Sequence, residues 1–250
     1  MLAFIYLAYQ IMALLYETVP AFEDTWIECL GDLGRYRMAI EDEDVRDREI
    51  WASVARSWYS KAADKNPAVG RLYHHLAILA RPNALQQVYY YARSLTSVKP
   101  FASARESILT LLDPILGRVT PSYSHALPID THFIRAHGIL FERLPQDQFD
   151  EVVTAFQGQL DNHIGRVTAK WKEQGVYIAV TNIAGLFDYG SESSILRRLL
   201  HHHAEEIGQN TPSSRSSSPP DGELSRSSSP VDVGSHTPIS ESQILSKPGM

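Results

Sequence analysis

The sequence predicts an all-α, repeat-built scaffold over residues 1–200 followed by a disordered tail. Three observations carry this expectation. Apolar residues recur at helical spacing along the first 200 positions, and turn signals divide them at regular intervals. No alternating run is long enough to make a convincing strand. Val176–Ile183 comes closest, and it also suits a helix. Beyond Thr211 the pattern stops: residues 211–250 hold thirteen serines and six prolines with few large apolar side chains. Such a segment buries too little surface to offset its ordering entropy.

The elements follow in order. Met1–Tyr16 is uncharged and strongly apolar. It lacks the basic start of a signal peptide and is shorter than a membrane span, so a buried helix is expected. An apolar helix at the first residue also suggests a truncated relative of something longer. Glu41–Asp44 with Asp47 reads as a solvated loop and helix start. Ala55, Tyr59, Ala62 and Pro67 then stand at offsets 0, 4, 7 and 12, the spacing of the second helix of a tetratricopeptide repeat. Tyr73, Leu76, Ala77 and Ala80 follow at the offsets of a first helix. Pro67 and Pro100 lie 33 positions apart, close to that repeat's period. Apolar stripes continue through Ile108–Leu116, Phe133–Leu144 and Phe149–Leu160. Three parts result: a helical region at 1–117, a helical continuation at 118–204 and the tail at 205–250.

Charge narrows the function classes. The net charge is −6, and six of the 29 acids and three of the 23 bases fall from Glu205 onward. The helical part is therefore close to neutral, without the basic excess on which most nucleic-acid affinity rests. Cys29 is the single cysteine, which rules out a disulfide framework and a cysteine-based zinc site. No nucleophile elbow, phosphate-binding loop, dinucleotide fingerprint or HExxH motif occurs, so no enzyme and no cofactor are expected. His201–His203 point in different directions on a helix and cannot share one metal ion. His137 sits on an apolar stripe and reads as a hydrogen-bonded core histidine.

Several motifs together resemble a known family. Leu30-Gly31-Asp32-Leu33-Gly34-Arg35-Tyr36-Arg37 is similar to the "LGDL-x-RYR" signature of the ever-shorter-telomeres, telomerase-activating type, which includes the 14-3-3-like factors of nonsense-mediated mRNA decay. In order after it come Trp58-Tyr59-x-Lys61-Ala62, Asn66-Pro67-x-x-Gly70, Tyr73-His74-His75-Leu76-Ala77 for the family's "YNQLA", Tyr89-Tyr90-Tyr91-Ala92-Arg93-Ser94-Leu95 and Pro100-Phe101. Phe133–Phe141 is similar to the opening of the family's DNA/RNA-binding segment. The resemblance covers about residues 25–190 and implies a 14-3-3-like, tetratricopeptide-type helical superhelix.

It also implies a site. Gly31–Tyr36 parallels the 14-3-3 segment whose arginine and tyrosine grip a phosphoserine, which makes Arg35 and Tyr36 candidate phosphopeptide contacts. A guanidinium fork and a phenol suit phosphate oxygens. The alternative is that Arg35 simply pairs with Asp32 three residues earlier. His74 stands where the family has an asparagine able to contact the ligand backbone. A basic residue from an earlier helix normally completes such a site, yet residues 1–29 contain no Lys or Arg.

The resemblance implies an adaptor in the nucleus, the cytoplasm or both, binding phosphorylated protein partners and no membrane. Two alternatives stand beside it: a telomeric DNA- or RNA-binding protein, with Arg93 and Arg135 as candidate contacts, and a diverged truncated copy with little activity. In the tail, Ser218-Pro219 and Ser229-Pro230 suit proline-directed kinases, as do the Thr-Pro pairs at 211 and 237. Arg215–Pro220 also fits a 14-3-3 ligand once Ser218 is phosphorylated.

Overall fold

The computed structural model describes residues 1–118 and 126–200. They form an all-α helical superhelix, built from α1 (Leu2–Thr18), α2 (Glu23–Ala39), α3 (Val45–Lys65), α4 (Gly70–Leu79), α5 (Ala84–Thr96), α6 (Ala104–Ser107), α7 (Leu109–Ile115), α8 (Pro128–Phe141), α9 (Phe149–Val167) and α10 (Trp171–Leu186). The tail with Ser218 and Ser229, and the histidines at 201–203, lie outside the described residues. Val176–Ile183 is helical, inside α10.

Consecutive helices stack. Helix α1 packs on α2, α2 on α3, α3 on α4 and α4 on α5; α10 then covers α5, and α8 pairs with α9. Side-chain caps set two of the starts. The Asp44 carboxylate accepts from the Arg46 and Asp47 amides, at 2.8 and 3.2 Å, and opens α3. Asn83 accepts from the Gln86 amide at 3.0 Å and opens α5.

The repeat offsets read from sequence are packing positions. Ala55, Tyr59 and Ala62 on α3, with Tyr73, Leu76 and Ala77 on α4, are all buried. Small residues on α2 let it approach α3 closely. A Cβ on Gly31 would meet the Tyr59 ring at 2.8 Å, and one on Gly34 would lie 3.3 Å from Ala55. The loops around Pro67 and Pro100 lie side by side. The Gly70 amide donates to Lys99 O and the Lys99 amide to Ala68 O, each at 2.9 Å. There the backbones are so close that a Cβ on Gly70 would come within 2.4 Å of Ser94 O.

Helix α1 corrects one expectation. It is helical, but Ile5 is its one buried residue, while Phe4, Leu7 and Leu14 stay 70, 57 and 60% exposed. It is held along one side by aromatic edges. Tyr6 and Tyr9 stand against Trp51, Tyr16 against Trp58, and Trp58 Nε1 donates to the Tyr9 hydroxyl at 2.8 Å. A helix apolar all round is buried only if packed all round, and α1 is packed on one face. Among the described residues no single helix is long and apolar enough to cross a membrane.

His137 is a core histidine, as its stripe position suggested. Asn182 Oδ1 lies 3.0 Å from its Nε2 and the Tyr189 hydroxyl 2.6 Å from its Nδ1. A neutral ring satisfies both partners, donating to Asn182 and accepting from Tyr189. Burial agrees, holding its pKa down to about 4.

Candidate functional site

The two arginines of the Gly31–Arg37 segment have different jobs. Arg37 is buried, ion-paired with Glu41 at 2.8 Å and with Asp47, and its Nε donates to the Tyr6 hydroxyl at 3.3 Å. It ties α1, α2 and the start of α3 together. Arg35 is on another face. Its Nε lies 3.4 Å from the Tyr59 hydroxyl and its Nη2 3.5 Å from Asp32 Oδ1. The guanidinium sits 4.7 Å over the Tyr36 ring, which is 46% exposed. The Arg35–Asp32 pairing weighed from sequence is therefore present, at the long end of the range.

Tyr59 of α3 floors this site. Its hydroxyl donates to Asp32 at 2.5 Å, and burial, then the Asp32 charge, pushes its pKa upward. The phenol is thus a fixed neutral post between Asp32 and Arg35. The α4 wall is supplied by His75 and Arg71. The His75 ring stacks on Tyr59, with centroids 4.8 Å apart, and its Nδ1 is buried with no hydrogen-bond partner. Burial first, and then the charge of Arg35, holds His75 down to about 3, so it is neutral at physiological pH. Arg71 pairs with Glu28 of α2.

Of the residues singled out from sequence, the structure brings Arg35 and Tyr36 together. It does not add His74 to them. His74 is 8% exposed and turned to the other side of α4, with Nε2 3.0 Å from Ser107 Oγ and its ring 4.9 Å from Phe101. Neighbours on a helix point about 100° apart, so His75 meets Tyr59 while His74 meets Ser107 and Phe101.

Sequence reasoning passed over His75, Arg71 and Glu28. A usable signal was present: Glu28, Asp32 and Arg35 share one stripe of α2 at i, i+4 and i+7, and Arg71 and His75 are one turn apart.

Arg93 and Arg135 sit elsewhere, each with its own neighbours. The Arg93 guanidinium lies 3.9 Å over the Tyr73 ring and donates to the Tyr73 and Tyr89 hydroxyls at 2.7 and 3.0 Å. It borders a cavity of about 210 Å³ that Asp64 and Tyr90 also line. Arg135 donates to Gln148 Oε1 at 2.8 Å. Among the described residues no group of three or more His, Cys, Asp or Glu side chains could hold a metal ion.

Comparison with known proteins now places the chain. Residues 55–199 match the family described as the Est1 DNA/RNA binding domain. The chain belongs to that family. Among relatives, it is 40% identical over 87 residues to the telomerase-binding protein EST1A of Danio rerio, a stretch that is 34% of this chain. It is 41% identical over 86 residues, again 34% of the chain, to the nonsense-mediated mRNA decay factor SMG7 of Arabidopsis thaliana. It is 29% identical over 159 residues, 62% of the chain, to the factor of the same name from Danio rerio. These matches span 5, 8 and 12% of the relatives' own lengths, so the chain corresponds to a small part of each. Arg35 and the rest of α2 precede the region that the family match covers.

Proposed function

We propose that this chain is a non-enzymatic helical adaptor that binds phosphorylated protein partners at the Gly31–Tyr36 segment of α2, with Arg35 as the principal contact and Tyr36 beside it. One observation carries the reading. The Arg35 side chain stands 16% exposed beside Tyr36, and its contact with Asp32 is as long as 3.5 Å. A guanidinium held so loosely by its carboxylate can turn part of its fork to phosphate oxygens. The near-neutral charge of the helical part also favours protein over nucleic acid.

Relatives named a telomerase-binding protein and nonsense-mediated mRNA decay factors support partners drawn from telomerase or mRNA-decay assemblies, and a nuclear or cytoplasmic place belongs to the same reading. The tail offers a ligand of its own: phosphorylated Ser218 within Arg215–Pro220 is a candidate for this site or for a 14-3-3 protein, and Ser229 repeats the context.

The test is fluorescence anisotropy of the full chain with a labelled peptide of residues 213–221, phosphorylated at Ser218, and its unphosphorylated twin. Phosphate-dependent binding that Arg35→Ala weakens by about tenfold or more is expected, the effect of losing one charged hydrogen bond. Equal binding of the two peptides would overturn the reading.

The second reading, a telomeric DNA- or RNA-binding protein, is favoured by the family's own description. It predicts salt-dependent retention of single-stranded DNA or RNA that Arg93→Ala or Arg135→Ala abolishes.

A further inference from the structure

A doubly charged phosphate is poorly held by one guanidinium that already touches a carboxylate. A second cation is needed, and α1 has none to give, since residues 1–29 contain no Lys or Arg. We infer that Arg71 of α4 is the second arm of the site, exchanging the Glu28 carboxylate for a phosphate held between Arg71 and Arg35. This rests on the reading of Arg35 as a phosphate contact.

Position comes first. Glu28, Asp32 and Arg35 form one stripe along α2, and Arg71 reaches that stripe from α4 by pairing with Glu28. Arg71 and His75 are one turn apart on the same face of α4. His75 in turn stacks on Tyr59, whose hydroxyl touches both Asp32 and Arg35. Arg35 touches the Tyr59 hydroxyl, Arg71 stands one turn before His75 on α4, and both charges bear on the His75 ring.

The pair that Arg71 now makes is easily exchanged. Its side chain is half exposed, and ion pairs of that kind contribute little. Burial, moreover, raises the Glu28 pKa against the opposing pull of the Arg71 charge. A phosphate carries nearly twice the charge of a carboxylate and three strong acceptor oxygens. Empty, the site is balanced, with Arg35 and Arg71 against Asp32 and Glu28. Filled, Arg71 turns to the phosphate and Glu28 to water.

His75 reports the exchange. The groups that face it are Asp32 and Arg35 from α2, Tyr59 from α3 and Arg71 and His74 from α4. Burial first, and then the two guanidinium charges, hold the ring neutral. A phosphate set between them reverses the local field and makes proton uptake easier.

The test is titration calorimetry of the full chain with the residue 213–221 peptide, phosphorylated at Ser218, against Arg71→Ala, Glu28→Gln and Arg35→Ala. Arg71→Ala is expected to weaken binding by about tenfold or more, comparable to Arg35→Ala. Glu28→Gln is expected to strengthen it several-fold, because it releases Arg71. A merely structural Glu28–Arg71 bridge would move both variants in the same direction. Wild-type affinity in Arg71→Ala, with binding lost in Arg35→Ala, would overturn the inference and leave the Arg35 reading standing. Loss of any difference between phosphorylated and plain peptide would overturn both. Unchanged melting temperatures confirm that the half-exposed Arg71 was removed without harm to the fold.

Discussion

Helices α4 and α9 read alike in sequence, each with an apolar stripe, and the structure treats them differently. Seven of the ten residues of α4 are buried, whereas α9, nineteen residues long, buries Val152 and His163. Helix α4 lies between α3 and α5 and touches both. Helix α9 leans chiefly on α8. An apolar stripe therefore says that a helix wants a neighbour, and its place in the stack decides how many it has. The site proposed on α2 lies in the tightly packed part, where Tyr59 of α3 meets Gly31 of α2. Arg135 belongs to α8, the helix on which α9 leans.

Glycines give the sharpest way to break this comparison. Gly70→Ala would drive a Cβ into Ser94 O at 2.4 Å and the Phe101 amide nitrogen at 2.8 Å, both backbone atoms that cannot rotate away. A loss of about 3 kcal/mol is expected in urea unfolding, the upper end of overpacking effects.

Acid is expected to act on both regions, more weakly per step. His75 and His137 are held down to about 3 and about 4, below their unfolded value of roughly 6.5. Between those values and 6.5 the unfolded chain binds more protons than the native one. Stability is therefore complete above pH 6.5 and falls as the pH drops, by up to about 1.4 kcal/mol per unit for each ring. Unfolding at pH 7.0 and 5.0 checks this. His137→Gln should lower stability at pH 7 by about 1–3 kcal/mol, because Tyr189 and Asn182 lose a shaped partner. His75→Gln should be milder, since the His75 Nδ1 has no hydrogen bond to lose. Both should flatten the acid slope.

The smallest effect has the opposite sign. A Cβ on Gly158 of α9 would meet nothing within 4 Å. Gly158→Ala should stabilise the chain by about 0.5–1 kcal/mol through helix propensity, visible as a raised melting temperature.

The sequence made much of this architecture legible. Tyr59, Ala62 and Tyr73 are buried where their repeat offsets put them, and the loops at Pro67 and Pro100 close the units and hydrogen-bond to each other. Periodicity within one helix is a local property, and it survives folding. What depends on a second helix was harder to see. Helix α1 was expected to be buried because its composition is apolar, yet composition does not say which of its faces finds a neighbour. His74 stands at the family's asparagine because motifs align by position, while a helix turns adjacent positions to different sides. Arg71 carried no motif at all. Its interest comes from Glu28 on α2, 43 positions earlier in the chain, a pairing that only the tertiary fold creates.

The central claim is that cations from α2 and α4 converge on one phosphate. The most direct measurement is an NMR titration of the full chain with the Ser218 phosphopeptide, following arginine Nε–Hε signals and histidine ring signals. Shifts concentrated at Arg35, Arg71 and His75, absent with the unphosphorylated peptide, are the predicted result. Shifts centred on Arg135 and the α8–α9 face, with Arg35 and Arg71 unmoved, would contradict it.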